Sequence, residues 1–312
     1  MYRSSGKSSN LSLDFCNRPR TRGATKVLIF DALSDEEYKK NMSYLDNFYH
    51  LLYGPEDGRR WVFVHGLMGY GQNWRKIISG LEASERCLTY DQRGHGRSMK
   101  PEAGYSPEDY ADDLKRIVDE LGWTNFILVG HSMGGRNVLN FATRYPEYVS
   151  HLVVEDIGPE MKPKAHEYYE YLLNLVPTPF PNRDAAKKYF FEDFVKTAKT
   201  REPIMVMANY FYANMAELAD GTVDWRFSKN GILESVKAGH KNERWDEIER
   251  LRMPTLWVRG ARSQELTHEN YAKILQKNPL IRGVEIADAG HWVHSDQPQA
   301  FIDAIKMFVG GF

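Results

Sequence analysis

The 312-residue sequence has little of several features that would assign its class directly. It holds two cysteines, Cys16 and Cys87, with no CxxC or metal-ligand spacing, so we expect neither a disulfide framework nor a cysteine-based metal site. Its apolar runs are strand-sized, well short of the roughly 20 residues of a membrane-spanning helix. The formal net charge is -1, which favours neither a nucleic acid nor an acidic membrane as partner. Internal repeats and low-complexity tracts are also missing.

The N-terminal segment lacks the long apolar core of a secretory signal peptide. We therefore expect a cytoplasmic protein, with an organelle transit peptide as the alternative because basic residues stand among serines there. The first 24 residues are polar and aperiodic, which predicts disorder or loose packing. Residues 1–44 form an N-terminal extension in this interpretation, with a short strand at 26–30 and a helical turn at 35–40.

What the sequence does contain is a regular alternation of strand and helix patterns. The strand patterns fall at 47–53, 61–64, 87–90, 126–129, 152–154, 255–258 and 284–287. The helix patterns fall at 73–81, 107–121, 136–145, 265–276 and 298–309. This alternation predicts an α/β fold with a mostly parallel central sheet and helices on both faces.

The alternation stops between residues 159 and 250. That segment is rich in helix patterns and aromatic residues, and Asp220-Gly221 is typical of a small hairpin turn. We therefore predict an inserted helical cap at 159–250 and a core made of 45–158 and 251–312.

One stretch carries a specific chemical signal, a serine between glycines at the spacing G-x-S-x-G. Ser132 follows the apolar run 126–129 and precedes the helix pattern 136–145. A sharp strand-to-helix turn presents the serine side chain, and it needs small residues at Gly130 and Gly134. Backbone N–H groups at the start of the helix would point to the same space. The competing interpretation is a glycine-rich turn with an ordinary serine.

Four motifs in order give the chain a family resemblance. They are His65-Gly66, the run from Asp91 to Ser98, Gly130 to Gly135, and Ala289-Gly290-His291. Together they resemble the α/β-hydrolase superfamily over residues 45–312. The resemblance implies an α/β-hydrolase fold, Ser132 as nucleophile, and an oxyanion hole made by the N–H groups of Leu67 and Met133.

A serine hydroxyl needs a base, and a histidine held by a carboxylate is the usual one. His291 follows the last strand and comes last in chain order, as this fold requires. His294 is the near competitor. For His65, His95 and His131 we expect hydrogen bonds that stabilise turns.

The sequence leaves two candidates for the carboxylate that would hold the histidine, because Ser263 stands where the superfamily usually has an aspartate. Asp156 and Glu265 are the two candidates. The D-I-x-P and G-x-x-S patterns resemble a subgroup of small promiscuous esterases whose triad acid follows strand six, and this favours Asp156. Glu265 also lies where a helix N-terminus would attract an acid. Glu155, next to Asp156, should face the other way.

These residues predict a serine carboxylic-ester hydrolase acting on small to medium acyl esters or thioesters. The expected pocket includes Met68, Tyr70 and His131, with cap aromatics. No metal or organic cofactor is expected, and the oligomeric state is open. The alternatives are a carbon–carbon bond hydrolase of diketones and, in another class, a ligand receptor that keeps the fold with little turnover.

Overall fold

The computed structural model describes residues 43–311 of the chain. The predicted disorder at 1–24, the strand at 26–30 and the helical turn at 35–40 lie outside the described residues.

Strands and helices alternate along most of the described chain. The strands are β1 His50–Tyr53, β2 Arg59–Val64, β3 Glu85–Tyr90, β4 Phe126–His131, β5 Val149–Glu155, β6 Met215–Glu217, β7 Val223–Trp225, β8 Thr255–Gly260 and β9 Ile281–Ile286. The helices are α1 Arg75–Ser79, α2 Pro107–Glu120, α3 Met133–Arg144, α4 Ala165–Leu175, α5 Arg183–Lys188, α6 Val195–Thr197, α7 Ile204–Ala213, α8 Lys229–Gly239, α9 Trp245–Glu249, α10 His268–Lys277, α11 Val293–Asp296 and α12 Pro298–Gly310. Short 3₁₀ helices lie at Tyr44–Asn47, Gly71–Trp74 and Pro146–Tyr148, and a π-helical turn at Tyr189–Phe194.

The larger sheet places its strands in the order β1-β3-β2-β4-β5-β8-β9. Strand β1 is antiparallel to β3, and the other pairings are parallel. The chain adds β3 on one side of β2 and β4 on the other. Ligand sites of open α/β sheets form beside such a reversal, at the carboxyl ends of the strands.

Each central strand contributes side chains to two apolar layers, one on each face of the sheet, because successive side chains point to opposite faces. On β2, Val62 and Val64 pack in the layer beneath α2 and α3. Trp61 and Phe63 pack in the opposite layer, beneath α1 and α12. This is the predicted mostly parallel sheet with helices on both faces.

Several predicted boundaries of helices and strands differ from those in the structure. At each of them a turn or a helix-capping residue sets the boundary. Strand β1 begins only at His50, after a 3₁₀ turn. The helix predicted at 73–81 is split into a 3₁₀ turn and α1. Helix α10 begins at His268, because the Thr267 side chain accepts the N–H of Asn270 and caps it. Glu265 therefore lies in the loop before α10, and its predicted place at a helix N-terminus is wrong.

The segment between β5 and β8 has its own apolar cluster. Helices α4, α7 and α8, the π-helical turn and the β6–β7 hairpin contribute to it, with aromatic side chains such as Phe190, Phe211 and Trp225 fully or almost fully buried. The hairpin predicted near Asp220-Gly221 is present. Ile248 of α9 packs instead with the sheet layer beneath α3. We keep the term cap for residues 159–250 as the predicted division.

Across residues 43–311, every helix is too short or too polar to cross a membrane.

Candidate active site

Ser132 lies at the sharp turn between β4 and α3. Its backbone has φ +54° and ψ −120°, a region that non-glycine residues rarely adopt. The Ser132 N–H donates to Glu155 O at 2.9 Å, which fixes the turn to the end of β5. No side chain fits at either of the flanking glycines, Gly130 and Gly134. A Cβ on Gly130 would lie 2.5 Å from Gly134 O, and one on Gly134 would lie 2.5 Å from His65 O.

Replacing Gly134 by alanine should therefore destabilise the protein. The new methyl group meets backbone atoms that cannot move aside, so we expect a loss of about 2–3 kcal/mol in the free energy of unfolding. Thermal and denaturant unfolding measure this. Gly310→Ala is the matched control, because a Cβ there meets nothing within 4 Å. Equal stabilities for the two variants would contradict the steric argument.

Three side chains from three different loops form a continuous hydrogen-bonded chain at the carboxyl edge of the sheet. Ser132 Oγ is 2.9 Å from His291 Nε2. His291 Nδ1 is 2.8 Å from Asp156 Oδ2. Asp156 directly follows β5, and His291 follows β9. The serine, histidine and aspartate that the sequence singled out are thus brought together.

Asp156 is fully buried, and further donors surround its carboxylate. The Gly260 N–H donates to Asp156 Oδ1 at 3.0 Å. The hydroxyl of Ser263 donates to Asp156 Oδ2. Ser263 occupies the position where the sequence lacks the usual aspartate, and here it supports the aspartate of the neighbouring strand. Its identity pointed toward Asp156, but its role as a donor was not visible from sequence.

Glu265, the alternative acid, makes a different set of contacts. Its carboxylate pairs with Lys162 at 2.5 Å. Burial raises the pKa of Glu265, but the charge of Lys162, that of His291 and the Lys162 hydrogen bond lower it more, to about 2. Among the described residues, the carboxylate that bonds His291 is that of Asp156.

A second histidine–carboxylate pair lies beside the first. His294 Nδ1 is 2.8 Å from Glu155 Oε1, and the His294 N–H donates to the same oxygen. Adjacent residues Glu155 and Asp156 thus serve different histidines, as their opposite directions predict. His131, Glu155 and His294 each bring a ligand atom within 4.8 Å of the others. Hydrogen bonds account for all three side chains, since His131 Nε2 meets His291 O at 2.9 Å.

The loop after β2 is held from both sides. The Tyr210 hydroxyl of the cap donates to Leu67 O at 2.5 Å. The Met68 N–H donates to His95 Nε2 at 3.1 Å, and the Gln92 N–H donates to His65 Nε2 at 2.9 Å. Within residues 43–311 the N–H groups of Leu67 and Met133 donate no hydrogen bond, so both remain available to a ligand.

Burial lowers the pKa of His291, but the hydrogen bond and charge of Asp156 raise it more, with further contributions from the charges of Glu265 and Glu202. The net effect places the pKa of His291 above its ordinary value of 6.5. Glu202 comes from the cap. This contribution was not predicted from sequence, because it depends on how the cap folds back over the sheet.

Two cavities meet at Ser132. One is lined by Met133, Arg136, Ile157 and Val236 among others. The other is lined by Met68, His131, Glu202, His291 and Trp292 among others. Leu67, Tyr169 and Glu265 line both. Of the three predicted pocket residues, Met68 and His131 are present, whereas Tyr70 lines neither of these two cavities and lies against Arg226.

Comparison with known proteins agrees with this architecture. A family model described as the alpha/beta hydrolase fold matches residues 62–298. The sn-1-specific diacylglycerol lipase ABHD11 of Mus musculus is 28% identical over 304 residues, covering 92% of this chain and 93% of that relative. Esterase Rv0045c of Mycobacterium tuberculosis is 28% identical over 250 residues, covering 79% of this chain and 81% of that relative.

A solved structure of E-2-(acetamidomethylene)succinate hydrolase superposes with a TM-score of 0.73 at 25% identity, covering 85% of this chain and 95% of that chain. The family match includes β3 to β9, the second half of β2 and the segment inserted between β5 and β8. The fold and the comparisons therefore define the class of this protein. The chain belongs to the alpha/beta hydrolase family.

Proposed function

We propose that this chain is a serine carboxylic-ester hydrolase that works through an acyl-enzyme on Ser132. The observation that carries the proposal is the chain of two hydrogen bonds, 2.9 Å from Ser132 Oγ to His291 Nε2 and 2.8 Å from His291 Nδ1 to Asp156 Oδ2. The relatives named as esterases and lipases support the coarser statement that the chain is a hydrolase acting on ester bonds. The finer roles of the residues rest on the geometry.

In the proposed reaction, His291 takes the proton of Ser132 as the hydroxyl attacks the ester carbonyl. His291 Nδ1 faces a carboxylate oxygen, so it carries the hydrogen and leaves Nε2 free as the base. The N–H groups of Leu67 and Met133 bind the oxyanion. His291 then protonates the departing alcohol. Water, activated by the same histidine, releases the acid and restores Ser132.

The cap has a definite part in this proposal. Tyr210 ties it to Leu67 O, and Glu202 brings a carboxylate near His291. A closed cap excludes water from the reacting carbonyl and strengthens the hydrogen bonds there. We therefore propose that residues 159–250 cover the site and shape its specificity.

Covalent labelling tests the nucleophile directly. A fluorophosphonate should modify the protein once, at Ser132, because only a serine whose proton is taken by a base attacks phosphorus readily. Intact-mass and peptide mass spectrometry measure the stoichiometry and the site. Ser295→Ala should label like the natural chain and His291→Gln should not. Labelling at another serine would contradict the proposed roles.

The pH dependence of kcat/KM should follow His291. The neutral imidazole is the base, so kcat/KM falls as the pH drops through a pKa that lies above 6.5. Replacing Glu202 by glutamine removes a negative charge that raises this pKa, so the acid limb should move to lower pH. Glu269→Gln, on the exposed face of α10, should leave the limb in place. An unmoved limb in the Glu202 variant would contradict the electrostatic assignment.

A further inference from the structure

In the proposed reaction, the alcohol and acyl parts of the ester lie in different cavities at Ser132. His291 lines one cavity and not the other. In the proposed reaction His291 protonates the departing alcohol, so the alcohol must lie on the His291 side. The acyl group then occupies the other cavity, where Met133, Ile157 and Val236 lie. The side chains of this second cavity decide which acyl groups fit.

The acyl cavity contains a buried cation. Arg136 lines this cavity and is only 3% exposed. Its Nη1 donates to Gly239 O at 2.8 Å and its Nη2 to Glu160 O at 2.9 Å. These bonds use two of the five N–H donors of a guanidinium. Among the described residues, the buried Nε has no partner.

No carboxylate in residues 43–311 forms an ion pair with Arg136, since none comes within 4.0 Å of its guanidinium. Glu265 is the nearby acid on the cavity wall, and Lys162 holds it at 2.5 Å. His240 also lines the cavity, where burial and then the charge of Arg136 lower its pKa to about 3 and keep it neutral. Its Nδ1 is likewise buried without a partner.

A buried charge without a counterion is costly, and an unpaired buried donor adds to the cost. Burial, with a smaller contribution from the charge of Arg244, lowers the pKa of Arg136 to about 10, although nearby carboxylates raise it, those of Glu265, Glu160 and Glu247. A ligand carboxylate at the cavity wall would place a counterion in direct contact with the guanidinium and offer its two oxygens to N–H donors that the protein does not use. Arginine binds carboxylates in this two-pronged way.

The distance between Ser132 and Arg136 limits the length of such a ligand. Arg136 is one turn further along α3, and its N–H donates to Ser132 O at 3.1 Å. Four residues of helix advance by about 6 Å. This one-turn separation gives only a length scale, so short dicarboxylic acyl chains, those of succinate, glutarate and adipate, are the ones to compare.

We propose that Arg136 makes the acyl cavity a carboxylate subsite, so that the enzyme acts on esters whose acyl group ends in a carboxylate. The substrates are half-esters of short dicarboxylic acids. The inference rests on the proposed function and names its substrate class.

Paired substrates test the subsite. Monoethyl succinate, glutarate and adipate are compared with their methyl ethyl diesters, which have the same chains without the charge. Ethanol release is followed by a coupled assay. For the natural chain we expect kcat/KM at least about 30-fold higher for the best half-ester than for its diester. Arg136→Gln should remove at least about tenfold of this preference by lowering the half-ester rate alone, and Arg136→Lys should keep part of it.

Arg144→Gln is the matched control, because it removes a cation from the exposed end of the same helix, where Arg144 pairs with Asp112. It should keep the full preference. If the natural chain favours the diesters, the inference is overturned. It is also overturned if Arg136→Gln lowers kcat/KM equally for half-esters and diesters, because Arg136 would then act only by holding the cap in place. If Arg136→Gln does not fold, the test rests on the ratio of kcat/KM for half-ester and diester, measured for the natural chain and for Arg136→Lys. Failure to cleave any ester, neutral or charged, would refute the proposed function itself.

Discussion

Replacing Ser132 by alanine should abolish ester hydrolysis, lowering kcat by about 10⁵–10⁶-fold. The alanine variant keeps the oxyanion donors and both cavities, so it should still bind substrate. It has no atom to form the acyl-enzyme, and His291 Nε2 loses the partner that lies 2.9 Å away. Turnover of ethyl and 4-nitrophenyl esters measures the loss, and an inhibition constant for an ester analogue measures the retained binding.

Ser150→Ala provides the control for this experiment, because Ser150 lies on β5 and lines neither cavity. Its hydroxyl hydrogen-bonds the ring of the adjacent His151. It should retain full activity. Turnover within a few-fold of the natural chain in Ser132→Ala would refute the nucleophile and with it the acyl-enzyme. Turnover of a vinylogous diketone by the natural chain, with no turnover of esters, would instead favour the diketone hydrolase.

Replacing Asp156 by asparagine should lower kcat by about 10⁴-fold. Asparagine donates from its amide group where the carboxylate accepts, so His291 turns its hydrogen away from Nδ1 and Nε2 is no longer the base. The variant also loses the largest contribution that raises the pKa of His291. Glu265→Gln should lower kcat much less, because Glu265 pairs with Lys162 and acts on His291 only through its charge. Steady-state kinetics of the two variants show which of the two carboxylates contributes more to kcat.

A rescue variant sharpens this ranking. Ser263 and His291 Nδ1 both meet Asp156 Oδ2, so a carboxylate at position 263 lies close to the imidazole. The double variant Asp156→Asn with Ser263→Asp should recover part of the activity that Asp156→Asn loses, whereas Ser263→Ala alone should have a modest effect. If Glu265→Gln were the more damaging single change, Glu265 would be the acid.

The sequence was most informative where one residue type is physically required. The turn at Ser132 needs Gly130 and Gly134, because a side chain at either position would collide with backbone. The alternation of strand and helix patterns predicted a mostly parallel sheet, because parallel neighbours need a crossover connection, usually a helix. The start of α2 at Pro107 was also predicted, and in the structure Ser106 and Asp109 form a capping box there. Local chemistry determines such features.

Boundaries and side-chain partners were harder to predict, because they depend on contacts between distant segments. Helix α10 begins at His268, after the Thr267 cap, and not at Glu265. Tyr210 and Glu202 come from the cap and line the cavities at Ser132 only because the cap lies over the sheet. Arg136 is one helical turn from Ser132, but cap carbonyl groups hold its guanidinium in place. Nothing in the local sequence around these three residues marked them.

The sequence by itself determined the α/β architecture, the presented serine at 132 and a short list of partners for it. Only the tertiary structure decided among the partners. Strands β5, β8 and β9 lie side by side, so the loops that carry Asp156, Ser263 and His291 meet at one edge of the sheet. A carboxylate 135 positions before its histidine in the chain thereby comes to 2.8 Å. Sequence spacing carries no information about that distance, because strand order and the direction of each side chain set it.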